Sequence, residues 1–110
     1  MLDKEFYNET YDMFIKANGK DYQMRMCIEE MSELTKALCK YMRIDLSTAD
    51  SDILKLAEQN IIEECADVII CAGQIKRMFG EAAVNKVMDE KIQRGRKIVE
   101  NHIVKKQNKK

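Results

Sequence analysis

Apolar residues recur along this chain at three- and four-residue spacings, the period of helices with one packed and one wet face. Leu2, Phe6, Met13, Phe14 and Ala17 mark a first stripe, which stops at Asn18-Gly19, a pair suited to a helix C-terminus. A second stripe runs through Met24, Ile28, Met31, Leu34, Leu38 and Met42, with Asp21 as its expected N-cap. Residues 44–51 are rich in cap-forming types, so a loop is expected there, with Asp50 or Ser51 opening the next helix. That third helix is expected from Asp52 to Phe79, ending at Gly80. A fourth follows from Glu81 to Val99 or beyond, on Val84, Val87, Met88, Ile92, Ile98 and Val99. No segment alternates with period two. The expected class is all-α, a four-helix bundle.

The third helix is apolar on more than one side. Ile61, Ile62, Val68, Ile69 and Ala72 share a face with Cys65, while Ile70, Cys71 and Met78 stand across the helix. A helix apolar all round is buried all round. A partner chain, in a homodimer or homotetramer, is therefore expected to complete the bundle, or else the fourth helix and tail cover the far side. Gly73 fits the close approach of another backbone. One domain is expected over residues 1–100, followed by a basic tail, 101–110, that frays.

Composition narrows the class. The chain has 110 residues, 45% of them apolar, no proline and four glycines, which excludes disordered, collagen-like and turn-rich β proteins. No apolar run reaches the ~20 residues of a membrane span, and the acidic start is not a signal peptide, so a cytoplasmic protein without a membrane partner is expected. Net charge is zero, but residues 1–90 hold 11 basic and 18 acidic side chains, and residues 91–110 hold eight basic and one acidic. The basic end could meet nucleic acid, an anionic ligand or a neighbouring subunit. The acidic remainder argues against a broad nucleic-acid surface, so that partner is not expected.

Four cysteines (27, 39, 65 and 71) show no C-x-x-C spacing, and His102 is the single histidine. Zinc is not expected on that pattern; buried small hydrophobes are. No serine or cysteine has a histidine near it in sequence, and no glycine-rich phosphate loop occurs.

Two acidic segments carry the candidate chemistry. Ile28-Glu29-Glu30-Met31-Ser32-Glu33-Leu34 is echoed 34 residues later by Ile62-Glu63-Glu64-Cys65-Ala66-Asp67-Val68. Glu30 and Glu33 lie about 100° and 160° from Met31 around the helix, and Glu64 and Asp67 take the same offsets from Cys65. Each helix thus presents an i, i+3 carboxylate pair at one shoulder. Helices pack about 8–10 Å apart, so facing shoulders can converge. Four such carboxylates either fan into solvent or are neutralised by a cation. Oxygen ligands favour Mg²⁺ or Mn²⁺, and one histidine cannot supply a di-iron bundle.

These two segments, in this order and spacing, resemble the E-x-x-E…E-x-x-D signature of MazG-type nucleoside triphosphate pyrophosphohydrolases, which the all-α dUTPase superfamily shares. The resemblance extends from Gln23 to Arg94, while the Cys-Pro-Trp-Asp segment of many such proteins is absent. It implies a MazG-like bundle, Mg²⁺ held by Glu30, Glu33, Glu64 and Asp67 (with Mn²⁺ as a substitute), and water attack on the α-phosphorus of a nucleoside triphosphate. The products would be a nucleoside monophosphate and pyrophosphate. It also places Glu63 as a water-orienting group and Lys91 and Arg94 as binders of substrate phosphate. Two other readings stand beside it: a non-enzymatic helical interaction module, and nucleic-acid binding through the basic tail.

Overall fold

A computed structural model describes residues 2–108. Four α-helices follow one another: α1 (Lys4–Asn18), α2 (Lys20–Met42), α3 (Ser51–Phe79) and α4 (Glu81–Asn108). No strand occurs among the described residues, so the class is all-α. The helices divide into two compact units, with the boundary between Met78 and Phe79. No helix among the described residues is long and apolar enough to cross a membrane.

Local chemistry explains where the helices begin and end. Asp3 Oδ1 accepts from the Phe6 backbone N–H at 2.8 Å and caps α1. Gly19 closes α1 with φ +90°, its N–H donating to Ile15 O at 2.8 Å. It also opens α2, so Asp21 is not the N-cap that the sequence suggests. Asp21 lies inside the first turn and pairs with Arg25 at 3.0 Å. In the loop, Asp45 Oδ1 accepts from both the backbone N–H and hydroxyl of Ser47, which holds its carboxyl below the usual range. Asp50 Oδ1 accepts from the Ile53 N–H at 2.8 Å and caps α3.

Within the first unit, α2 and α3 form an antiparallel pair. Gln23 Nε2 donates to Gln74 Oε1, the thiols of Cys27 and Cys71 are hydrogen-bonded, and Glu30 meets Glu64 and Asp67. Rising numbers on α2 thus meet falling numbers on α3. The seam follows a 4-3 spacing on α2, through Gln23, Cys27, Glu30, Leu34, Ala37 and Tyr41. On α3 it runs through Ala57, Ile61, Glu64, Val68, Cys71 and Ile75. All twelve are buried or half-buried. This is coiled-coil periodicity, which keeps two helices in contact along their length.

That seam is not the one the apolar stripes suggest. On α2, Ile28, Met31, Leu38 and Met42 are exposed, Met42 by 81%. On α3, Ile62, Cys65, Ile69 and Ala72 are exposed, whereas Cys71, expected across the helix from the core, is buried within the chain. Among the described residues, the buried apolar side chains are the small ones, Cys27, Ala37 and Cys71. Small side chains let two backbones approach and leave room for the paired glutamines, which satisfy each other's amides.

α1 packs by different means. Its inward side holds Asn8, Thr10, Tyr11 and Ile15 rather than Phe6, Met13 and Phe14, which are exposed. Tyr11 covers Gly73 on α3: a Cβ there would stand 2.5 Å from Tyr11 Cε2. Gly73 therefore admits an aromatic ring, not the backbone the sequence suggested. Arg77 closes the contact with two parallel hydrogen bonds to Asp12, Nε to Oδ1 at 2.9 Å and Nη2 to Oδ2 at 2.7 Å.

The second unit holds α4. The helix continues through Asn108 and carries an Arg96–Glu100 pair at 2.7 Å. Its apolar side chains Val87, Met88, Ile92, Ile98 and Val99 are exposed.

Candidate metal centre

The 4-3 spacing of the seam carries one carboxylate from each helix into it. On α2 the seam position after Cys27 is Glu30, and on α3 the position before Val68 is Glu64, with Asp67 one turn on. Each of these three offers a carboxylate oxygen within 4.8 Å of the other two, and all three are half-buried. Two ligands of one magnesium ion are at most about 4.2 Å apart, since each bond is about 2.1 Å. Three oxygens that share one such ion lie closer together than that limit, so the side chains would have to draw in to bind it.

Electrostatics agree with an uncompensated anionic site. Partial burial pushes the Glu30 carboxyl up, and the charges of Asp67 and Glu64, then Glu29 and Glu33, push in the same direction. Burial likewise raises Glu64, followed by Asp67, Glu33 and Glu63. Each cause favours the neutral acid. The ion pairs Asp21–Arg25, Glu33–Lys36, Asp12–Arg77 and Arg96–Glu100 bring no cation to any of the three.

The other sequence candidates take different places. Glu33 is exposed and pairs with Lys36 at 3.6 Å; it stands outside the three-oxygen cluster but close enough for its charge to act on both glutamates. Glu63 is exposed and accepts a 3.4 Å hydrogen bond from Gln59 Nε2. Lys91 and Arg94 lie on α4, in the second unit, and both are exposed. Their spacing of three places them near one another on the helix surface.

Sequence reading missed the layer beside the cluster. Cys27 lies one turn before Glu30 and Cys71 one turn after Asp67, and the two thiols meet across the seam. Burial, then Cys27, pushes the Cys71 thiol up to about 11. At neutral pH it stays a thiol, too poor a nucleophile to compete with the carboxylate chemistry. The signal that would have found this layer is the 4-3 register 23-27-30-34-37, which is hidden because two of its members are polar.

Chemically, three carboxylate oxygens on two rigid helices suit a hard divalent cation that keeps several waters for substrate oxygens. Comparison of the chain with protein-family models, with curated proteins and with solved structures finds no match.

Proposed function

We propose that this chain hydrolyses a nucleoside triphosphate to a nucleoside monophosphate and pyrophosphate, with Mg²⁺ held by Glu30, Glu64 and Asp67. The observation that carries this reading is the convergence of Glu30 with Glu64 and Asp67 across the α2–α3 seam. These are three of the four carboxylates of the E-x-x-E…E-x-x-D pattern. Held by these three carboxylates, Mg²⁺ would supply positive charge to the phosphates and a more acidic water. Glu33 completes the ligand shell once Lys36 releases it, and Glu63 orients the water. Mn²⁺ substitutes for Mg²⁺.

The same reading makes the protein a cytoplasmic homo-oligomer, a homodimer or homotetramer. Its support is the large apolar side chains left open on α2 and α3, among them Met42, Ile62 and Ile69. The test of the chemistry is a panel of nucleoside triphosphates with Mg²⁺, scored separately for pyrophosphate and orthophosphate. Pyrophosphate release that chelation abolishes is the expected result. Release of orthophosphate alone, or no turnover, defeats the reading and leaves a helical interaction module in its place.

A further inference from the structure

A cleft of about 430 Å³ lies between the C-terminal end of α2 and the first half of α3, inside the first unit. Lys40, Ile44, Ile53, Leu56, Asn60 and Glu63 line it. On α3 the positions Ile53, Leu56, Asn60, Glu63 and Asp67 recur every three or four residues, so they share one side of the helix. The α3 wall of the cleft thus lies on the side of the helix that carries Asp67. Asn60 stands one turn, about 6 Å, from Glu64, and Leu56 lies about 16 Å along the axis from Asp67.

Along that side the chemistry is graded. Carboxylates at 67 and 63 give way to an amide at 60 and then to apolar side chains at 56 and 53. Leu56 is 74% exposed and Ile53 52%, apolar surface that an occupant would take out of water. Lys40 is the cation among the lining side chains, and the volume lies within the range of small-molecule sites.

We infer that this cleft seats the nucleoside end of a nucleoside triphosphate whose phosphates are held at the carboxylate cluster. The inference rests on the pyrophosphohydrolase reading for the position of the phosphates. Cleavage at the α-phosphorus requires the metal beside that phosphate, which puts the sugar one helical turn away, at Asn60. The base then lies on Leu56, Ile53 and Ile44, a flat ring on apolar side chains. The Asn60 amide can both donate and accept at the sugar or base edge.

Isothermal titration with Mg²⁺ and uncleavable α,β-imido nucleoside triphosphates, beside inorganic tripolyphosphate, tests the assignment. Leu56→Ala and Asn60→Ala alter exposed positions of α3, and circular dichroism checks that the helices persist. Each variant is expected to weaken imido-nucleotide binding about tenfold while leaving tripolyphosphate binding within about twofold. Unchanged nucleotide affinity, an equal loss for tripolyphosphate, or no nucleotide binding by the wild type overturns the inference. So does a changed sedimentation coefficient in the variants, which would mean that a second copy of the chain fills the cleft. Tight imido-nucleotide binding without pyrophosphate release from the natural triphosphates sinks the hydrolase reading alone, and the variant titrations still decide the cleft.

Discussion

Asp12 and Glu30 both project toward α3 from neighbouring helices, and their carboxyls move in opposite directions. Asp12 meets Arg77 in a two-pronged hydrogen bond, and that bond holds its carboxyl below the usual range. Glu30 meets Glu64 and Asp67, and burial with like charge holds its carboxyl above it. The first contact neutralises itself and pins α1 to α3. The second gathers negative charge that none of the ion pairs Asp21–Arg25, Glu33–Lys36, Asp12–Arg77 and Arg96–Glu100 offsets. A structural ion pair and an uncompensated carboxylate cluster thus differ in whether the fold supplies the counter-charge.

The largest expected effect breaks the site itself. Asp67→Asn should lower pyrophosphate release by about 10²-fold or more, because it removes charge from the ion that holds both water and phosphate. Far-UV circular dichroism should be unchanged, since Asp67 is half-buried at the seam edge and its amide is isosteric. Wild-type turnover in this variant would show that the carboxylate cluster is not catalytic.

Next in size is the response to metal. Mg²⁺ at about 100 times its Kd should raise Tm by on the order of 10 °C, since it binds the folded cluster alone. Glu64→Gln should blunt that rise, whereas Asp12→Asn should leave it intact. Scanning calorimetry with and without a chelator separates the two regions directly.

A smaller effect appears without metal, as a pH dependence of opposite sign at the two places. Glu30 and Glu64 have raised carboxyls, so the folded state binds protons more tightly than the unfolded chain. Their ionisation costs stability as pH rises from the ordinary glutamate range through the raised values. Glu30→Gln should therefore raise the Tm of the metal-free protein at pH 7 and lose that advantage below the ordinary glutamate range. A lower Tm at pH 7 would show that Glu30 already has a counter-charge.

The smallest effect belongs to the ion pair. The Asp12 carboxyl is lowered, so its contribution is present above the ordinary aspartate range and fades as pH falls through the folded value. Both partners are partly exposed, 51% for Asp12 and 31% for Arg77, and solvent screens them. Asp12→Asn should produce a slight Tm decrease at pH 7 that disappears in acid and shrinks in high salt. A drop larger than the Mg²⁺ effect would reverse the ranking of the two regions.

Much of this was legible before any packing. Asn18-Gly19, Asp50 and Gly80 punctuate the chain where helices end or begin, because caps and left-handed glycines are local chemistry. Glu30, Glu64 and Asp67 were legible as candidates because i, i+3 carboxylates share a helix face whatever the helix packs against. The stripes through Met31 and Cys65 were legible only in part: Leu34, Ile61 and Val68 enter the seam, while Met31, Cys65 and their other neighbours are exposed within this chain. Apolar strength describes one helix and cannot say which of its two apolar sides a neighbour in the same chain will cover.

By itself, then, the sequence determined four helices, their boundaries and the placement of acidic pairs, since each depends on residues a few positions apart. Tertiary structure alone decided the α2–α3 register that sets Gln23 against Gln74, Cys27 against Cys71, and Glu30 against Glu64 and Asp67. It also decided that Glu33 stays with Lys36 while Glu30 turns into the seam. The reason is geometric: register is a joint property of two helices. It is chosen by which small and polar side chains fit between them, and no periodicity within either helix encodes that fit.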